Sequence, residues 1–169
     1  MFTQQRAIEL WRADDLIVLG AEADAMRKRL HTEGLVTYTN AADDDVLEYV
    51  FARTQSVEQR IEALAAVRAE QEKAGNVAAF RPLVEPTATG MEYMKTIALS
   101  RLCLDNVLHI QSSWRLFGLK LAQLALRFGA DDLGKPDGDV SEEELRRLIR
   151  DAGFVPKQRD ALFRSYSIA

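Results

Sequence analysis

Apolar residues recur every three or four positions along much of this chain, which is the period that buries one face of an α-helix. The pattern predicts a first helical region over about residues 4–29, broken near residues 13–15. Its second half carries one continuous apolar stripe, formed by Leu16, Leu19, Ala23, Met26 and Leu30. Such a stripe indicates a helix that packs on a core.

Later in the chain, short runs of β-branched and aromatic residues separate the helical patterns, and such runs favour strands. They predict strands at about residues 35–39, 46–52, 77–83 and 108–113. Further helices are predicted at about residues 56–74, 89–105, 121–128, 141–152 and 157–166. Strands that alternate with helices predict parallel pairing through right-handed crossovers.

Three of the predicted helices begin with a capping box, in which two side chains satisfy free backbone amides of the first turn. The boxes are Ser56 with Gln59, Thr89 with Glu92, and Ser141 with Glu144. Glycines follow two of these helices, Gly75 and Gly153, where a left-handed residue ends a helix without steric cost. The helix boundaries are therefore well marked.

The length fits a single α/β domain, residues 1–169, with enough chain to bury a core. N-terminal helices (1–34) precede a strand–helix region (35–134), and C-terminal helices (135–169) follow. A closed eightfold barrel needs about 250 residues. Three to four parallel strands leave open edges, and we expect a homo-oligomer or a partner protein to cover them.

Composition excludes several classes of partner. The net charge is −4, and the 22 basic residues are interleaved with 26 acidic ones. Binding to a phosphate backbone relies on clustered basic residues, so we expect no nucleic acid partner. No apolar run approaches the roughly 20 residues that cross a bilayer, and the N-terminus lacks the pattern of a signal peptide. We therefore predict no membrane association and a cytoplasmic location.

The segment from residue 106 to residue 134 contains NVLHIQSSW, GLKLAQ and FGADDLG. It resembles the last β/α unit of the radical S-adenosylmethionine enzymes of the futalosine route to menaquinone, aminofutalosine synthase and dehypoxanthine futalosine cyclase. Other segments resemble these enzymes in the same order: residues 13–31, 36–40, 56–75, 80–83, 88–90, 95–106, 147–153 and 158–160. The resemblance implies a helix-rich partial (β/α) barrel with an N-terminal helical prelude.

The same resemblance argues against the family's reaction in this chain. In these enzymes three cysteines that hold a [4Fe–4S] cluster would follow Asn40, and the cluster binds S-adenosylmethionine. Here residues 41–45 read AADDD, and the chain has one cysteine, Cys103, which we interpret as a buried inert thiol. Iron–sulfur clusters need cysteine thiolates, so we predict no cofactor and no catalytic residue.

Three hypotheses about function follow from the absence of the cluster-binding cysteines. The first is a non-catalytic relative that acts as a binding or oligomerisation module. The second is a subunit of a split radical enzyme, completed by a partner chain that carries the cluster. The third is an internally deleted gene product without a present role. GLKLAQ and GADDL resemble the synthase and IQSSW the cyclase, so the closer relative stays open.

Six residues are candidates for a ligand pocket: Arg81, His109, Gln111, Trp114, Asp131 and Asp132. Each has a structural alternative. Asp131 and Asp132 are equally typical of a turn, His109 of a hydrogen-bonded scaffold histidine, and Trp114 of core or interface packing. The chain has two histidines, and their spacing shows no histidine–carboxylate pattern typical of a metal site. We therefore predict no metal.

Overall fold

The computed structural model describes residues 3–161, 163 and 166–167. The helices are α1 (Gln4–Ala13), α2 (Leu16–Leu30), α3 (Val57–Ala74), α4 (Gly90–Cys103), α5 (Leu119–Ala125) and α6 (Glu142–Asp151). The strands are β1 (Leu35–Tyr38), β2 (Leu47–Phe51), β3 (Ala79–Val84), β4 (His109–Ile110), β5 (Val155–Arg159) and β6 (Tyr166–Ser167).

Local sequence signals set the helix boundaries as predicted. All three capping boxes form, with both hydrogen bonds present at the starts of α3, α4 and α6. The predicted break in the first helical region is a left-handed residue, Asp14, which is followed at once by Asp15 as the N-cap of α2. Gly75 adopts the left-handed conformation that ends α3.

The strands form two groups, ordered β2-β3-β4 and β1-β5-β6. Neighbours pair in parallel except β5 and β6, which are antiparallel. Asp132 makes parallel bridges to both Gln111 and Thr37, and so joins the two groups. The parallel order is therefore β2, β3, β4, residues 131–133, β1 and β5, which confirms an α/β fold with parallel strands.

The prediction of a closing helix over residues 157–166 is wrong. Residues 155–159 form β5, which lies beside β1 with Val36 opposite Pro156. Proline disfavours helical backbone at the residue before it, so Val155 is held extended. The backbone ladder with β1 then outweighs the helical propensity of the following Lys, Gln and Arg. Within the described part of residues 135–169, the helix α6 is followed by strands β5 and β6; residues 162, 164 and 165 of the predicted helix lie outside the described residues.

The prediction of three to four parallel strands is also too low, because five strands of the described residues pair in parallel. Residues 131–133 include the two aspartates that are typical of a turn, but they bridge β4 and β1 and are buried. Their amides and carbonyls bond to both neighbours, for example from Asp131 N to Ile110 O at 3.0 Å. A buried backbone needs such partners, which explains why this segment is extended.

The core lies between the parallel strands and the helices, and α4 runs through it. Residues 93–102 of α4 are all buried, because β3 and helices α1, α2, α3 and α5 pack around this helix. The largest core cluster joins apolar residues of the strands, such as Phe80 and Ile110, to Tyr93 and Ile97 of α4. No helix in the described part of the chain is long and apolar enough to cross a membrane.

Candidate functional site

A row of polar side chains crosses the parallel strands at one level. Glu48 lies opposite Arg81 in the ladder between β2 and β3, and Asp132 bridges Gln111 and Thr37. We call these five residues, Glu48, Arg81, Gln111, Asp132 and Thr37, the inner polar row. Laterally aligned residues of adjacent strands share one face of a sheet, so the fold brings together groups that are distant in sequence.

The members of the inner polar row bind one another. Arg81 Nη1 donates to Glu48 Oε2 at 2.8 Å, and Arg81 Nε donates to the side-chain oxygen of Gln111. Gln111 Nε2 donates to Asp132 Oδ1 at 2.8 Å, and the Thr37 hydroxyl donates to Asp132. Each member of the row therefore has at least one hydrogen-bond partner within the chain.

Two residues outside the row, Asp43 and Arg159, complete it. Arg159 binds both carboxylate oxygens of Asp132, at 2.7 Å and 2.9 Å, and donates to Asp43 Oδ1 at 2.8 Å. The other oxygen of Asp43 accepts from Arg81 Nη2 at 3.0 Å and Gln111 Nε2 at 2.8 Å. Burial disfavours the charged guanidinium, but the hydrogen bonds and charges of Asp132 and Asp43 raise the pKa of Arg159.

Sequence reasoning misses both of these residues. Asp43 belongs to a polar run, AADDD, that is typical of a loop, and Arg159 to a stretch whose composition predicts a helix. Asp43 follows β1 and Arg159 ends β5, so the two neighbouring parallel strands bring them to one edge. The proline at position 156 is the one local signal for the strand that positions Arg159.

A second cluster surrounds Asp131, whose side chain is 1% exposed. Oδ1 accepts from Arg101 Nη2 at 2.7 Å and from the Ile110 amide at 2.8 Å. Oδ2 lies 2.6 Å from His109 Nδ1 and 3.1 Å from His31 Nε2. We call Asp131, Arg101, His31 and His109 the buried aspartate cluster.

The buried aspartate cluster keeps its carboxylate ionised. Burial would raise the pKa of Asp131, but the charge and hydrogen bond of His109, together with Arg101 and His31, lower it to about 2. Burial also lowers the pKa of Arg101, yet its fully buried guanidinium is bonded to Asp131 and to the carbonyls of Gly129 and Val107. We therefore interpret the buried ion pair between Arg101 and Asp131 as a stabilising part of the core.

His31, His109 and Asp131 are the described residues whose side chains come close enough together to suggest a metal site. Sequence spacing does not predict this cluster, since 100 positions separate His31 from Asp131. The donor atoms lie 2.6 Å and 3.1 Å apart, and His31 Nε2 is 2.6 Å from the Leu108 carbonyl, which are hydrogen-bond distances. The Arg101 cation on the same carboxylate further opposes a metal cation.

His31 gives the fold a testable pH dependence. Burial lowers the pKa of His31, although Asp131 acts in the opposite direction. The folded chain therefore keeps His31 neutral below pH 6.5, where the unfolded chain takes up the proton. We expect the free energy of unfolding to fall from pH 7 to pH 5, by at most about 1.4 kcal/mol per pH unit from this group.

Urea denaturation at pH 7 and pH 5 measures this dependence. His31→Gln should flatten it, whereas Lys28→Gln, at an exposed residue in the last turn of α2, the helix that His31 caps, should keep it. Equal slopes in the wild type and His31→Gln would contradict the assignment to His31.

A cleft of about 200 Å³ opens beside the inner polar row, towards the carboxyl ends of β3 and β4. Its lining includes three of the six predicted residues, Arg81, Gln111 and Trp114. His109 and Asp131 lie in the buried aspartate cluster instead, and Asp132 is fully buried behind Gln111. The structure therefore divides the six predicted residues between a solvent-accessible cleft and the protein interior.

Cys103 is the single cysteine of the chain, at the C-terminal end of α4, and its side chain is half-buried. It lines a separate cavity of about 240 Å³, together with residues of α1 and α3. Burial raises the pKa of its thiol to about 12, so the group is protonated at neutral pH. A [4Fe–4S] cluster is held by several thiolates, and this residue set does not fit one.

Residues 69–169 match the family model described as the CofH/MqnC C-terminal region. The chain belongs to this family. The matched region contains β3 to β6, Arg101, both aspartates at positions 131 and 132, and Arg159. The resemblance to the futalosine enzymes is thereby confirmed.

Individual relatives agree with this assignment. Cyclic dehypoxanthine futalosine synthase of Streptomyces coelicolor is 39% identical over 123 residues, 60% of this chain and 31% of its own length. Aminodeoxyfutalosine synthase of the same organism is 43% identical over 94 residues, 45% of this chain and 24% of its own.

A third relative is named for a different reaction. The 5-amino-6-(D-ribitylamino)uracil–L-tyrosine 4-hydroxyphenyl transferase of Methanothermobacter thermautotrophicus is 32% identical over 144 residues, 68% of this chain and 39% of its own. The chain thus spans between a quarter and two-fifths of the length of these relatives. Among solved structures, methylornithine synthase covers 66% of this chain at 15% identity with a TM-score of 0.49, too low to support an argument.

Proposed function

We propose that this chain is a non-catalytic member of the CofH/MqnC C-terminal region family that binds a small molecule in the cleft beside Arg81, Gln111 and Trp114. The observation that carries the proposal is the position of Asp43. Its carboxylate binds Arg81, Gln111 and Arg159, so the polar groups at the carboxyl ends of the strands are already engaged with the chain itself. The protonated thiol of Cys103 adds support.

Apolar and polar side chains both line the cleft, which is the usual character of a small-molecule site. Trp114 lies at one side, and the guanidinium of Arg115 lies 5.1 Å from the centre of its ring. Ser113 and Lys135 also line the cleft. An aromatic ring that stacks on Trp114, with a polar or anionic group near Arg115 and Lys135, fits this surface. A futalosine-like compound has these features.

Isothermal titration with aminodeoxyfutalosine, dehypoxanthine futalosine and S-adenosylmethionine tests the proposal. We expect at least one futalosine compound to bind, and Trp114→Ala to weaken that binding at least about fivefold, because the stacking surface is lost (about 1–3 kcal/mol per stacked ring). Arg147→Ala, on the exposed face of α6, is the matched control and should bind as the wild type does. Absence of heat with all three compounds would contradict the ligand assignment.

Anaerobic incubation with iron and sulfide tests the non-catalytic part separately. We expect no protein-bound iron–sulfur absorption, because one protonated thiol cannot replace a set of thiolates. A chain that retained a cluster after gel filtration would contradict this expectation, whatever the result of the titration.

A split enzyme is the second candidate function. It is favoured by the position of β2 at the open end of the parallel order and by the fraction of each relative that the chain spans. In this hypothesis a partner chain would carry the cluster and continue the sheet beyond β2. Whether the β2 edge binds a cluster-bearing partner chain therefore distinguishes the two candidate functions.

A further inference from the structure

Strand β2 presents an open backbone edge. It is the terminal strand of the order β2-β3-β4 and pairs with β3 from Leu47 to Phe51. The carbonyl of Phe51 accepts from the Glu85 amide, so Phe51 directs its backbone towards β3. Backbone direction alternates along a strand of a parallel pair, and the amides and carbonyls of Glu48 and Val50 therefore point to the open edge. Such an edge is a template for another strand.

The side chains on this edge also favour contact with protein. Leu47 is 40% exposed and Val50 is 51% exposed, and the two lie on opposite faces of the strand. Glu48 would normally oppose association because a charge at an edge must lose its water. Here Arg81 of β3 already pairs with that carboxylate at 2.8 Å. The edge thus combines exposed apolar side chains with a carboxylate that already has an arginine partner within the chain.

We propose that two copies of this chain associate through β2, in an antiparallel pair with Tyr49 of one copy opposite Tyr49 of the other. A two-fold axis through this position places Glu48 of each copy opposite Val50 of the second copy. These are the two residues whose backbones point outward, and each such pair exchanges two hydrogen bonds. The register therefore uses all the outward-facing amides and carbonyls of Glu48 and Val50.

Side chains support the same register. It places Leu47 opposite Phe51 of the second copy, an apolar pair. Just outside the strand ends, in the turns that flank β2, it brings Asp45 towards Arg53 of the second copy; both residues are exposed, and Arg53 Nε lies 3.5 Å from Glu92 Oε2 of its own chain. The symmetry repeats that opposite-charge pair at both ends of the contact. Centring the pair on Glu48 instead would set Asp45 against Phe51, and centring it on Val50 would set Leu47 against Arg53.

The contact is small, so its strength should be modest. One strand edge buries less than the roughly 800 Å² per partner of a standard stable interface. We therefore expect a reversible dimer with a dissociation constant in the micromolar range. The backbone pairing uses the outer edge of β2, whereas the stacking residue Trp114 follows β4; Glu48 lines the cleft as well, so the dimer is measured without ligand and ligand binding is measured on the Trp114 variant.

Sedimentation velocity of the 169-residue chain without ligand, from about 1 to about 200 µM, tests the dimer. We expect the dimer fraction to rise with concentration and Val50→Glu to abolish it in this range, since the register sets the new carboxylate opposite Glu48 of the second copy, and like charges directly opposite each other destabilise a strand pair. Ile17→Glu on α2, at a residue that is 80% exposed, is the matched control and should leave the dimer unchanged. Far-UV circular dichroism verifies that each variant is folded.

A charge swap tests the register. Arg53→Asp alone should weaken the dimer about fivefold to tenfold, because two attractive pairs become repulsive. Adding Asp45→Arg should restore most of the affinity. A monomeric wild type, a dimer that survives Val50→Glu, or a double variant no stronger than Arg53→Asp would each overturn the proposal. If the wild type stays monomeric at all concentrations, the β2 edge remains available to a different protein. The ligand titration of the wild type and of Trp114→Ala is not affected by that result.

Discussion

Replacement of Asp131 by asparagine is expected to lower the free energy of unfolding by about 3–5 kcal/mol. The change removes a buried negative charge and leaves the guanidinium of Arg101, which is fully buried, without its counter-ion. It also places an amide where His109 and the Ile110 amide both approach an anionic oxygen. Urea denaturation followed by circular dichroism at neutral pH measures the loss.

Asp137→Asn is the control for this prediction. Asp137 also pairs with an arginine, Arg115 at 2.8 Å, but both side chains are exposed. Exposed pairs of this kind contribute at most about 1 kcal/mol, so the two variants isolate the effect of burial. If Asp131→Asn cost no more than Asp137→Asn, the buried aspartate cluster would not be a stabilising element.

Replacement of Arg159 by methionine should cost a similar amount, about 3–5 kcal/mol. Methionine retains much of the side-chain volume but removes both bonds to the fully buried carboxylate of Asp132 and the bond to Asp43. Asp132 would then be a buried charge with neutral donors alone, from Thr37, Gln111 and Gly134. Thermal and urea denaturation both measure the change.

Two further variants make the second prediction specific. Arg147→Met removes an exposed arginine whose contact to Asp151 is 3.7 Å long, and it should change stability by less than about 0.5 kcal/mol. Arg159→Met with Asp132→Asn should recover part of the loss, because the unpaired charge is gone. A double variant as unstable as the sum of the two single ones would show that Arg159 and Asp132 act independently.

Helix positions and family membership are accessible from the sequence. Each capping box joins residues three positions apart, and each apolar stripe repeats within one or two helical turns. Such signals join residues that are close in sequence. They can therefore be recognised without knowledge of the fold around the helix. The segment from residue 106 to residue 134 likewise carries its resemblance to the futalosine enzymes in the order of its residues, and the family model confirms that resemblance.

The C-terminal strand has one local signal, Pro156, beside residues that favour a helix. Lys157, Gln158 and Arg159 have good helical propensity, which favours a helix. Propensity is a weak preference of a fraction of a kcal/mol per residue, whereas the open side of β1 offers a full ladder of backbone bonds. Pro156 favours extended backbone at Val155, and this steric restriction is stronger than the propensity of the three residues that follow the proline.

By itself, then, the sequence determined the helices, most of the strands, the class of fold and the family. Only the tertiary structure decided how the polar residues are used. Asp43, Asp132 and Arg159 meet because β1, β5 and residues 131–133 are neighbours, and His31 reaches Asp131 across 100 positions. These contacts depend on strand order and register, which no local spacing encodes. Tertiary structure therefore determined that Asp131 and Asp132 belong to the interior, while Arg81, Gln111 and Trp114 face a cleft.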